Sequence, residues 1–84
     1  MTYRILVERY AQKQIMKFDK RAISILKTAI FNLSINPRPF GYKKLKGEDA
    51  YRIRVGSYRV IYEINDDIIT VIVVSVGHRK NIYK

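Results

Sequence analysis

The residues best able to do chemistry lie in one short stretch, Tyr51-Arg52-Ile53-Arg54-Val55-Gly56-Ser57-Tyr58-Arg59-Val60-Ile61-Tyr62-Glu63-Ile64. Apolar residues alternate with charged ones on both sides of Gly56-Ser57, the pattern of two strands joined by a two-residue turn. Such a turn sets Val55 opposite Tyr58, Arg54 opposite Arg59, Ile53 opposite Val60 and Arg52 opposite Ile61. Side chains alternate along a strand, so Tyr51, Ile53, Val55, Tyr58, Val60, Tyr62 and Ile64 share one surface, while Arg52, Arg54 and Arg59 share the other. Like charges directly opposite across a sheet cost up to about 1 kcal/mol, so an Arg54 and Arg59 pair invites an anion between them. Guanidinium forks grip phosphate through two hydrogen bonds and stay charged at any relevant pH, which suits a phosphodiester. The competing reading is a solvated basic face, or one that meets acidic side chains of a partner.

His78 is the one other side chain suited to proton transfer near neutral pH, and surrounding cations favour its neutral form. It is a candidate base; the plainer reading is a surface histidine near the chain end. Gly77 permits an unusual backbone turn before it, so strand parity does not fix the face on which Arg79 lies. Metal chemistry is poorly supported, because Glu48-Asp49 and Asp66-Asp67 fall at predicted turns and one histidine builds no ordinary site. There is no cysteine, which excludes thiolate nucleophiles and zinc knuckles. Of the seven tyrosines, parity sends Tyr51, Tyr58 and Tyr62 to the core side, leaving Tyr83, with Tyr42 as an outsider, for stacking on a base.

The elements that must carry these groups come from a chain of 84 residues, 48% of them hydrophobic, enough for one domain. Seventeen Lys and Arg against seven Asp and Glu give a formal charge of +10, which favours encounter with polyanions or an acidic protein. No apolar run has the length of a signal peptide core or a membrane span, so a soluble, cytoplasmic protein is expected. Tyr3 to Val7 reads as a first strand. Ile15, Phe18, Ile23, Leu26, Ile30 and Leu33 then recur at helical spacing, with Asp19 placed as an N-cap between two helices. Asn36-Pro37-Arg38-Pro39 stops the second helix. Lys43 to Lys46 suits a short edge strand guarded by lysines. Tyr51–Val55, Tyr58–Ile64 and Ile68–Val76 follow as strands, with Asn65-Asp66-Asp67 as the second turn. The last of these is apolar on both faces and is expected inside the sheet. The fold class is therefore α+β: one domain over residues 1–84, with two N-terminal helices packed on a mainly antiparallel sheet of four or five strands.

The run from Asn36-Pro37-Arg38-Pro39-Phe40-Gly41-Tyr42-Lys43-Lys44-Leu45-Lys46-Gly47 through the arginine hairpin, with the ending Val76-Gly77-His78-Arg79-Lys80-Asn81-Ile82-Tyr83, closely resembles the RelE-like toxins of type II toxin–antitoxin modules. The resemblance implies a five-stranded sheet backed by two helices, and cleavage of messenger RNA in the ribosomal A site without metal or cofactor. It assigns phosphate binding and proton transfer to Arg52, Arg54, Arg59 and Arg79, and base stacking to Tyr83. Lys43, Lys44, Lys46, His78 and Lys80 become expected RNA contacts. It also implies a cognate antitoxin with an acidic or amphipathic segment, binding to operator DNA only as the toxin–antitoxin complex, and no membrane partner. Some RelE enzymes carry lysines where this chain has Arg52 and Arg54. Arginine makes a poor base, so the resemblance carries over the phosphate grip rather than the proton relay. Two alternatives are a gyrase-poisoning toxin of the sister ParE branch and a catalytically weak relative that only binds RNA or antitoxin.

Overall fold

A computed structural model describes residues 2–78. Arg79, Lys80 and Tyr83, three of the expected RNA-facing residues, lie outside the described residues.

The chain runs β1 (Arg4–Val7), α1 (Arg9–Met16), α2 (Lys20–Ile35), β2 (Lys43–Lys44), β3 (Tyr51–Val55), β4 (Tyr58–Asn65) and β5 (Thr70–His78). The two helices part at Asp19, whose carboxylate accepts the Ala22 amide at 2.8 Å and so caps α2. At its far end α2 stops before Pro37, with Asn36 in the extended conformation that a following proline imposes. The side chain of Asn36 accepts the Arg38 amide at 3.1 Å, and the chain turns away from the helix.

The five strands form a single sheet in the order β1-β5-β4-β3-β2. β1 is parallel to β5, and every other neighbouring pair is antiparallel. Ala11, Leu26, Ile30 and Leu33 from the helices meet Ile53, Val60, Tyr62, Val71, Val73 and Val76 from one face of the sheet, making one core. Those six sheet residues include every fully buried position of β3 and β4 that parity assigned to the apolar surface, and the helices cover that surface as expected. β5 lies between β1 and β4, inside the sheet as expected.

β1 begins one residue later than expected, at Arg4, and β4 runs one residue further, to Asn65; β2 and β5 differ more. β2 is two residues long, so Lys46 lies beyond it; Leu45 instead donates its amide to the Ala50 carbonyl at 2.8 Å, folding residues 46–49 into a loop. The last strand spans Thr70–His78, not Ile68–Val76. The Asn65 side chain accepts the amides of both Asp67 and Ile68, which draws Ile68 into the turn, and Ile69 takes a left-handed φ of 50°. At the other end Gly77 makes no turn, and β5 runs through it to His78.

Candidate nucleic-acid interface

The hairpin register is the one that a two-residue turn dictates: Val55 opposite Tyr58, Arg54 opposite Arg59, Ile53 opposite Val60 and Arg52 opposite Ile61. Gly56 supplies the turn's left-handed residue at φ 60°. Directly opposite residues share a face, so the pairings that flank the hairpin extend the pattern. Lys43 on β2 stands opposite Arg52, and Gly77 on β5 stands opposite Arg59. One row across the sheet therefore reads Lys43, Arg52, Ile61, and the next reads Arg54, Arg59, Gly77. Four cations occupy two adjacent rows on the face away from the helices.

These cations are not equally wet. Arg54 is exposed and Arg59 half-buried, whereas Arg52 is buried, with 8% of its surface accessible. A buried guanidinium keeps its charge and is felt strongly by a nearby anion, because little water screens it. Lys44 turns its ammonium to the Glu48 carbonyl at 2.7 Å, tying down the 46–49 loop.

The segment that delivers Lys43 is anchored from behind. The buried Tyr62 hydroxyl donates to the Pro37 carbonyl at 2.7 Å, and burial pushes its phenol well above the ordinary tyrosine range, so it remains a donor. Tyr42 stacks on Tyr51 at 5.8 Å, and Tyr51 packs on Tyr62 at 6.0 Å. That stack fixes Tyr42 immediately before Lys43. Farther out, Arg38 pairs with Asp66 at 2.9 Å, and the Tyr3 hydroxyl donates to the same carboxylate at 2.7 Å. The hydrogen bonds from Arg38 and Tyr3 hold the Asp66 carboxyl below its ordinary range. The segment after α2 is thus strapped to the turn between β4 and β5.

His78 sits apart from the arginines. It stands opposite Tyr58, with the two rings edge-on at 5.7 Å, on the helix side of the sheet. Sequence parity from Val71 and Val73 would have sent it to the arginine face; a register shift between Ile61 and Tyr62 leaves Val74 without a partner and re-phases the residues after it. Sequence reasoning also missed the supports, Tyr62 to Pro37 and Gln14 to Val76, because partners so distant in sequence leave no local signal.

A groove of about 720 Å³ lies beside this face. β2 covers only Tyr51 and Arg52, so the edge of β3 is open at Ile53–Val55, with Asn32, Ile35 and the fully exposed Phe40 among the groove's walls. Among the described residues no group of three or more His, Cys, Asp or Glu gathers to hold a metal ion, and no helix is long and apolar enough to cross a membrane.

Residues 4–83 match the family described as the ParE toxin of type II toxin–antitoxin systems. Toxin RelE3 of Methanocaldococcus jannaschii is 43% identical over 65 residues, covering 76% of this chain and 72% of that protein. Toxin RelG of Mycobacterium tuberculosis is 32% identical over an alignment of 87 positions, covering 100% of this chain and 99% of that one. Among solved structures, the RelBE2 toxin–antitoxin complex from Mycobacterium tuberculosis superposes with a TM-score of 0.86 at 27% identity, over 96% of this chain and 95% of that one. The RelE–RelB complex from Pyrococcus horikoshii gives 0.84 at 29% identity, over 96% and 99%. With this fold, this hairpin and these relatives, the chain belongs to the RelE/ParE superfamily of type II toxin–antitoxin toxins and is of RelE type.

Proposed function

We propose that the protein is a ribosome-dependent messenger RNA endonuclease that inhibits translation. The observation that carries this reading is the pair of cationic rows, Lys43 with Arg52 and Arg54 with Arg59, on the sheet face that the helices leave open. Cleavage by the ribose 2′-hydroxyl needs that hydroxyl deprotonated, a phosphorane-like transition state stabilised and the leaving oxygen protonated. Arg52, Arg54 and Arg59 serve the second requirement, usually the largest electrostatic contribution to such a reaction. Arg79 assists the leaving oxygen and Tyr83 stacks on the base, while Lys43, Lys46 and Lys80 contact the RNA backbone; Lys44, opposite Tyr51 and bound to the Glu48 carbonyl, lies on the other face and does not join them. None of the three hairpin arginines is a good proton acceptor. His78, turned to the helix side beside Tyr58, is better suited to packing there than to serving as the base or as an RNA contact. The proposed reaction uses no cofactor or metal.

The partners in this reading are the ribosome with its message and a RelB-type antitoxin, since the similar solved structures include RelE bound to RelB. An acidic segment of such an antitoxin fits a +10 protein and would compete with RNA for the arginine rows. The complex, rather than the free toxin, binds operator DNA, and the site of action is the cytoplasm.

The test is a purified translation reaction with programmed ribosomes. Native protein is expected to cut the message in the A site, and Arg59→Ala together with Arg79→Ala to leave it whole. Undiminished cutting by the double variant would overturn the assignment, and intact messages with gyrase-linked DNA breaks would move the protein to the ParE activity.

A further inference from the structure

β5 has a discontinuity in the middle. Ile61 pairs with Ser75 and Tyr62 with Val73, so Val74 is an extra residue, a β-bulge. Val71 and Val73 before it, and Val76 after it, all point into the core. A strand without the bulge would send positions 75 and 77 to the core side and 76 and 78 to the arginine side. With it, Val76 and His78 turn to the helices, and Gly77 comes to the arginine side opposite Arg59.

A side chain from α1 holds this arrangement at the strand's open edge. β1 accompanies β5 only as far as the Val7 and Val73 pair, so beyond Val73 that edge of β5 has no strand beside it. Gln14, half-buried on α1, fills the place: its Oε1 accepts the Val76 amide at 2.7 Å and the Ser75 hydroxyl at 3.3 Å. Ala11, one helical turn earlier and fully buried, lets α1 approach closely enough for that reach.

We infer that Gln14 is a positioning residue for the phosphate-binding face, holding the re-phased end of β5 so that Gly77 rather than Val76 lies against Arg59. The inference rests on the proposed RNA cleavage. A glycine there sets no side chain of β5 beside Arg59, while the unbulged register would set the Val76 side chain there. The contact also bears on Arg59 from the strand that leads into Arg79, so a lost clamp misplaces the site without removing a charge.

Two substitutions of the full-length toxin separate this role from simple support. Gln14→Met keeps the length and removes the acceptor; Gln14→Glu keeps an oxygen in place. In Gln14→Met, Val76 amide exchange is expected to accelerate and the His78 to Tyr58 ring contact to weaken in NMR spectra. Single-turnover cleavage on ribosomes should fall about tenfold or more, the scale of a misplaced site, with ribosome affinity unchanged. Gln14→Glu should restore amide protection, ring contact and rate together. Should Gln14→Met not fold, Gln14→Ser, too short to reach Val76, carries the same expectations. Native-like cleavage with an unprotected Val76 amide would overturn the inference, as would an amide that stays protected without the Gln14 acceptor. If native protein cleaves nothing, the proposed reaction falls, and with it the catalytic half of this inference; the exchange and ring-contact readings still decide whether Gln14 sets the phase of β5.

Discussion

Arg54→Glu should make the protein more stable and leave it unable to cleave. Arg54 is exposed and stands directly opposite Arg59 in a protein whose formal charge is already +10. Two unit charges about 6 Å apart repel by about 0.7 kcal/mol even at the dielectric constant of water. Like pairs across a sheet cost, and opposite pairs return, about 0.2–1 kcal/mol each. Converting the pair from like to opposite should therefore stabilise by about 0.5–1.5 kcal/mol at low ionic strength. Urea titration at 10 mM salt reads this as a higher midpoint with an unchanged slope. At 1 M salt the Debye length shrinks to about 3 Å and most of the gain should vanish. Inorganic phosphate should raise the native midpoint by binding the folded arginine pair, and should do little for the variant. A variant less stable than native protein at low salt, or a gap that salt leaves untouched, would refute the reasoning that these arginines are held together at a cost for the sake of an anion.

Other consequences follow from single contacts. Tyr62→Phe strands the buried Pro37 carbonyl and should cost about 1–3 kcal/mol, seen as a lower melting temperature with the sheet intact by circular dichroism. Asp19→Ala removes the α2 cap and should cost about 1 kcal/mol in urea unfolding, with Asp19→Asn much closer to native. Asp66 is depressed in the folded state by Arg38 and Tyr3. Its contribution should therefore be complete above the unfolded carboxyl value of about 4 and be lost as pH falls through the lower folded value. Asp66→Asn should accordingly lag native protein at neutral pH and match it in strong acid, and a constant gap from neutral to acid would contradict the pairing.

Much of this architecture is legible in the sequence because its signals are local. Alternation around Gly56-Ser57 fixes the register of Arg54 on Arg59, and helical spacing with Asp19 fixes the break between α1 and α2. What escapes is whatever depends on distant partners. The bulge at Val74 depends on how β4, β1 and α1 meet β5, and nothing in Val73-Val74-Ser75 announces it, so the face that His78 takes is not legible in the sequence. Ile68 looks like a strand residue by composition, yet the Asn65 side chain claims its amide for the turn. β2 stops after Lys44 because Leu45 pairs back to Ala50, a choice made by the loop rather than by the lysines.

In the proposed function the arginine rows grip a message on the ribosome. Mapping message ends genome-wide after a brief pulse of expression tests it most directly, with native protein compared against Arg59→Ala. New ends within codons at the A site of translating ribosomes are expected for the native protein, and their loss in the variant. Unchanged message ends under full growth arrest, or cuts that persist without Arg59, would contradict that function.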